Sequence, residues 1–215
     1  MPQSTPAPLA HITPLPQLKA GKLAIRLPQL FIGLIGFGFS CALIIESGLG
    51  AMSWDVLTLG LVEKTGLSYG ALTVITSFVV LLLWIPLKEM PGLGTIANAV
   101  LVGISADIAL RFIPAPSNLP MQWAYVILAI LAFSFFDALY IGAQFGSGPR
   151  DGLMTGLMRI TGKPAGIIRT VLEVTVVIIG ILMGGQFGPG TILLSLTVGP
   201  HHRLFSSQSH RAIRT

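Results

Sequence analysis

Apolar residues in this chain fall in unbroken blocks instead of alternating or tracing one helical stripe. The blocks are "LPQLFIGLIGFGFSCALII", "YGALTVITSFVVLLLWIPL", "WAYVILAILAFSFFDALYIGA" and "RTVLEVTVVIIGILMGG". Each approaches the ~20 residues that cross ~30 Å of hydrocarbon as a helix. With two shorter apolar segments, the pattern predicts spans at Leu30–Gly48, Leu67–Leu87, Thr95–Phe112, Trp123–Gly146, Pro164–Gly184 and Thr191–Phe205. Two further segments begin at an aspartate, Asp55–Lys64 and Asp151–Ile160. At ~1.5 Å per residue such a helix covers about half a bilayer, so each is expected to be interfacial or re-entrant.

The order of these elements repeats. Sliding the chain by 96 residues lays Ala42–Gly103 on Ala138–Gly199 without a gap, with identities at 19 of 62 positions. Apolar composition alone does not explain them, because they include Gly50, Asp55, Gly60, Thr65, Gly66, Gly70 and the "GLGT"/"GPGT" turns. The expected fold is therefore an all-α polytopic membrane protein, six transmembrane helices as two three-span repeats, each with one short helix. Three crossings per unit is an odd number, so the second unit enters the membrane inverted, a plan common among secondary transporters. The units are residues 28–113 and 121–205, flanked by a disordered cytoplasmic tail at 1–27 and a cytoplasmic tail at 206–215.

Composition agrees with a lipid environment. Apolar residues make up 53% of the chain and charged ones 10%, with mean hydropathy +0.81. A soluble domain carries about 25% charged residues. With the N-terminus inside, 11 of the 13 Lys and Arg fall on the cytoplasmic side, leaving Lys64 and Arg111 outside. The positive-inside rule thus explains the net charge of +5 without nucleic acid. Charge does not separate six spans from eight, because eight spans in parallel repeats give the same division. Segment length favours six. The N-terminal stretch has no cleavage site behind a short apolar core, which argues against a signal peptide. The single cysteine, Cys41, excludes a disulfide within the chain.

Seven residues are candidates for function. Asp137 sits inside the fourth predicted span, where an ionisable group costs ~2.5–3.5 kcal/mol and points to a proton or cation site. A protonated or hydrogen-bonded packing carboxyl is the equal alternative. Its 96-residue mate is Cys41, so the fold does not demand the acid. Arg169 with Glu173, and Asp107 with Arg111, are four apart and suited to ion pairs along one helix face. Asp55 and Asp151 are expected as N-caps of the short helices. Arg150, beside one of those helix starts, belongs to the basic set that orients the second unit, and with the positive helix end it also suits an anion.

Catalytic and metal motifs are missing. "GLMRITGKP" has five residues between its glycines and Pro after Lys, so it is not a phosphate loop. His201 and His202 are adjacent and cannot share a helix face as metal ligands. No cofactor and no enzyme activity are expected.

The stretches "GLGAMSWDVLTLGL", "PGLGTIANAVLVG", "ALYIGAQFGSGPRDGLMTGL" and "GPGTILLSLTVGP" resemble the bacterial YczE/YyaS/YitT-type integral membrane proteins, over about Arg26–Pro200. That resemblance implies a multi-pass protein of the bacterial inner membrane and carries no substrate, cofactor or catalytic residue. Two functional readings stand open. One is a small secondary transporter of a solute or ion, in which a homodimer completes the path. The other is a non-transport accessory protein acting on a membrane partner.

Overall fold

A computed structural model describes residues 23–197, and all regular structure among them is helical. The helices are α1 (Leu23–Glu46), α2 (Ser53–Thr65), α3 (Tyr69–Leu87), α4 (Leu93–Phe112), α5 (Leu119–Gly142), α6 (Pro149–Thr161) and α7 (Ala165–Leu182). An eighth, α8, starts at 189 and is described to 197. Of these, α1, α3, α4, α5 and α7 are long and apolar enough to cross a membrane. Their outer faces carry large bare hydrophobics such as Leu82, Ile85, Leu131, Phe135 and Leu182. A soluble monomer does not expose apolar surface on that scale. The chain is a multi-pass membrane protein.

Two boundaries differ from the sequence reading. Helix α1 opens at Leu23, inside the expected 1–27 tail. Arg26 accounts for it: its guanidinium donates to the carbonyls of Ala143 and Gln144, each at 3.0 Å, at the carboxyl end of α5. A cation there satisfies orphan carbonyls and meets the negative helix pole. The other difference concerns the short helices, which start two residues ahead of their aspartates. Their N-caps are Met52 and Gly148, so Asp55 and Asp151 are first-turn residues and not caps. The remaining N-terminal tail, the end of the Thr191–Phe205 segment and the 206–215 tail lie outside the described residues.

Helices α1 and α5 form the central seam, and they run antiparallel. Going up α1, Gln29 donates to Leu139 O, Gly33 abuts Tyr140 and Phe136, and Phe37 meets Phe133. Farther along, Leu43 and Ile44 pack on Val126 and Ala129. Rising numbers on one helix thus meet falling numbers on the other. Glycine makes the approach feasible: a Cβ on Gly33 would stand 2.7 Å from the Tyr140 backbone nitrogen. Small residues at such seams let membrane helices come into backbone contact.

Short and long helices are exchanged between the halves. α2 packs on the end of α7, where Gly180 faces the Val56 backbone, and α6 packs on the end of α3, where Gly152 faces Trp84. Trp84 Nε1 also donates to Pro149 O at 3.0 Å. Two matching hydrogen bonds tie the starts of α4 and α8 to the turn of the opposite half. Gly94 N donates to Phe145 O and Gly190 N to Leu49 O, both at 2.8 Å. The partners in these bonds differ by 96 residues (94 and 190, 49 and 145). Thr95 Oγ1 donates to Ser147 O, while Thr191 Oγ1 accepts from Ala51 N. Gly50 and Gly146 turn the chain there with φ of 132° and 110°, a backbone region open mainly to glycine.

Candidate functional site

Where the seam, the exchanged helices and α4 converge, they line a partly open cavity of about 160 Å³. Phe37 and Phe133 line it, with ring centroids 4.7 Å apart. Both short helices begin at its wall, through Met52, Ser53 and Trp54 on α2 and Gly148, Pro149 and Arg150 on α6. Neither N-cap residue covers the first-turn N–H groups with a side chain. Two positive helix ends therefore open on one space, which favours negative charge in it.

Five of the seven sequence candidates line this cavity: Asp137, Arg150, Asp151, Arg169 and Glu173. Asp55 stands behind Arg150, wholly buried, and its Oδ1 lies 3.2 Å from the guanidinium. Arg150 also lies over the Trp54 ring, 5.3 Å from its centroid. So Arg150 is not merely a loop charge that orients the unit; it reaches inward and neutralises the other half's buried acid. A buried carboxylate without such a partner is strongly disfavoured. Arg169 and Glu173 make the expected pair on α7, at 2.7 Å, and present it to the cavity.

The expected Asp107–Arg111 pair does not form. Asp107 instead accepts from Ser68 Oγ at 2.5 Å and from Gly70 N at 2.6 Å, closing the start of α3. Free N–H groups of a helix start are better partners for a carboxylate than a flexible arginine in the last turn. Asp107 is therefore structural and stands apart from the cavity. Arg159, another residue read as an orientation charge, pairs with Glu89 at 3.1 Å and donates to Leu87 O, pinning the end of α6 to the end of α3.

Thr73, Ser77, Asn98 and Tyr140 are cavity residues that no motif singled out. The 96-residue offset is the signal that could have found two of them, since Thr73 aligns with Arg169 and Ser77 with Glu173. A second group that sequence reasoning missed runs from the wall, at Thr73, into the interior. Asp55 Oδ2, Tyr69 Oη and Thr73 Oγ1 are buried without a hydrogen-bond partner. Cys41 lies beside Tyr69 and Asp55, and Tyr69 beside Thr73, each close enough to interact. Among the described residues, no group of three or more His, Cys, Asp or Glu is arranged to hold a metal.

Fold and site together define a polytopic helical membrane protein with a small, charged internal cavity. The chain belongs to the family of unknown function DUF6198, whose pattern matches residues 24–207. It is 34% identical to an uncharacterised protein of Haemophilus influenzae over 170 residues, 79% of this chain and 78% of that one. It is 30% identical over 180 residues to the uncharacterised membrane protein YczE of Bacillus subtilis, covering 83% and 84% of the two chains. The B. subtilis protein YyaS is 26% identical over 166 residues, 75% of this chain and 83% of its own. These relatives agree with the resemblance read from the turns. No solved structure matches the chain.

Proposed function

We propose that the chain is a small secondary carrier of the bacterial inner membrane, with six spans in two inverted halves and both termini cytoplasmic. Its solute occupies the cavity on the axis relating the halves. One observation carries this reading: the cavity is walled by pairs of positions 96 residues apart, among them 37 with 133, 54 with 150, 73 with 169 and 77 with 173. Two of those pairs, Phe37–Phe133 and Trp54–Arg150, touch each other, as residues on a two-fold axis do. The antiparallel α1–α5 seam and the 13-residue length of α2 and α6 support the same geometry. Such helices reach about 20 Å, short of a full crossing. A site at the repeat interface, fed by broken helices, is where carriers of this plan hold their solute.

The cavity bounds the solute. A space near 150 Å³ takes a benzene-sized molecule, so this one suits a solute on the order of six to ten non-hydrogen atoms. Its lining mixes aromatic rings, hydroxyls and charges of both signs, as expected for a small polar molecule.

Uptake by the purified protein in liposomes tests the reading, with Asp137→Asn beside wild type. Wild type is expected to move at least one class among small organic acids, amines and neutral polar solutes, and Asp137→Asn to cut that flux at least tenfold. Absence of flux for every class, together with a partner co-purifying in fixed ratio, would favour the accessory reading and overturn this one.

A further inference from the structure

Asp55 stands at a branch point. One oxygen faces Arg150, a residue of the cavity wall, and the other faces the buried interior with no partner. Tyr69 and Thr73 bring two more unpartnered oxygens to the same pocket, and Asp55, Tyr69 and Thr73 are 0%, 5% and 3% exposed. Cys41 lies against Tyr69 and Asp55, and Tyr69 against Thr73, yet none of the three oxygens makes a well-formed hydrogen bond; buried oxygens left in that state are costly unless something else binds there. The Arg150 side chain is 29% exposed, so it borders open space as well as its acid.

We infer that Asp55, Tyr69 and Thr73 form the site of a coupling cation, a proton or a sodium ion, which is filled when an anionic group of the solute draws Arg150 away from Asp55. This rests on the carrier reading above and names its coupling. The positive ends of α2 and α6 and the guanidinium face the cavity, so an entering carboxylate or phosphate competes with Asp55 for Arg150. Once the guanidinium turns to the solute, Asp55 is a buried carboxylate with no counter-charge, a state the low dielectric forbids. It is relieved by a proton from water on the open side, bound to Asp55 Oδ2, or by sodium held among the three oxygens. Either way one negative group and one cation are loaded together.

Other charged and titratable groups around Asp55 leave this exchange to Arg150. Cys41 of α1 and Tyr69 of α3 adjoin it as neutral groups, and Arg169 of α7 is held by Glu173. Asp137 of α5 and Asp151 of α6 also line the cavity, and each has a partner of its own.

The test uses the full chain in detergent with acetate, pyruvate, succinate, glycine and inorganic phosphate as probes, and glycerol and ethanolamine as solutes without an anionic group. Binding is read by thermal shift, and cation uptake by a pH electrode in weak buffer, with choline or sodium as the salt. At least one anionic probe is expected to bind. Its affinity should fall about tenfold per pH unit if one proton is taken up, or rise at least tenfold from choline to sodium if the cation is sodium. In Asp55→Asn, Arg150 is released, so the same probe should bind more tightly and without cation dependence. Wild-type anion binding indifferent to both pH and sodium overturns the coupling and leaves the carrier. Binding of glycerol or ethanolamine alone does the same. Failure of every probe counts against both proposals. The wild-type measurements decide the matter even if Asp55→Asn does not fold.

Discussion

Arg150→Gln is expected to unfold much of the protein under conditions where the wild type is stable. The substitution takes the guanidinium from Asp55 Oδ1, while Oδ2 is already without a partner, and leaves an acid of 0% exposure with no counter-charge. Breaking one side of a buried pair typically costs ~3–5 kcal/mol, because the remaining charge is uncompensated. Contact with the Trp54 ring is lost as well, on the order of 1 kcal/mol. Lysine should not rescue, since it has neither the planar fork nor the stacking face. The double variant Asp55→Asn/Arg150→Gln should recover most of the loss, since it removes both charges. Thermal unfolding of the four proteins in mild detergent gives the coupling energy as a double-mutant cycle. Equal and additive losses would show that the pair does not hold the halves together.

Gly33→Leu is the second large effect, and it acts on shape. A Cβ at this position meets Tyr140 N at 2.7 Å, Tyr140 Cα at 2.9 Å and Phe136 O at 3.0 Å. All three are backbone atoms, so no side chain can swing aside and the seam itself must part. Overpacking costs ~1–3 kcal/mol where a core can adjust, and a seam in backbone contact adjusts poorly. The Gln29 and Arg26 bonds to the end of α5 and the Phe37–Phe133 contact lie along the same line, so they should loosen together. A sharp fall in folded yield is expected by size-exclusion chromatography. Ile32→Leu, next door but 54% exposed toward lipid, should behave as wild type. A well-folded Gly33→Leu protein would mean that α1 and α5 are not so close.

The all-helical, multi-pass character was legible because the features that carry it are local. Unbroken apolar blocks announce spans, and glycines such as Gly50 and Gly146, which need positive φ, recur at the same offset. The Asp55 and Asp151 pair was visible too, but its role was not. Ser53 and Pro149 already start the helices, so the acids sit in the first turn, where they meet the dipole instead of capping it. Arg150 looked like a topology signal because spacing along the chain cannot reveal a contact 95 residues away. Asp107 and Arg111 had the spacing of a pair, yet the start of α3 offered the acid better donors. Thr73 and Ser77 escaped notice because Ser and Thr hydroxyls in apolar helices usually bond to their own backbone, and only their alignment with Arg169 and Glu173 at the 96-residue offset sets them apart. Folding made the site by bringing residues such as Asp55 and Arg150 together across 95 positions of chain.

A carrier of the proposed plan needs its two halves inverted, with α2 and α6 turning back inside the bilayer. Labelling of single cysteines at Lys64 and Lys163 tests this directly. Each follows one short helix, and the native Cys41 is buried and can be replaced by alanine as background. In intact cells an impermeant maleimide should modify Lys64→Cys and spare Lys163→Cys, with the second reacting only once the membrane is opened. Modification of both from the same side would contradict the inversion, and with it the shared central cavity as a carrier site.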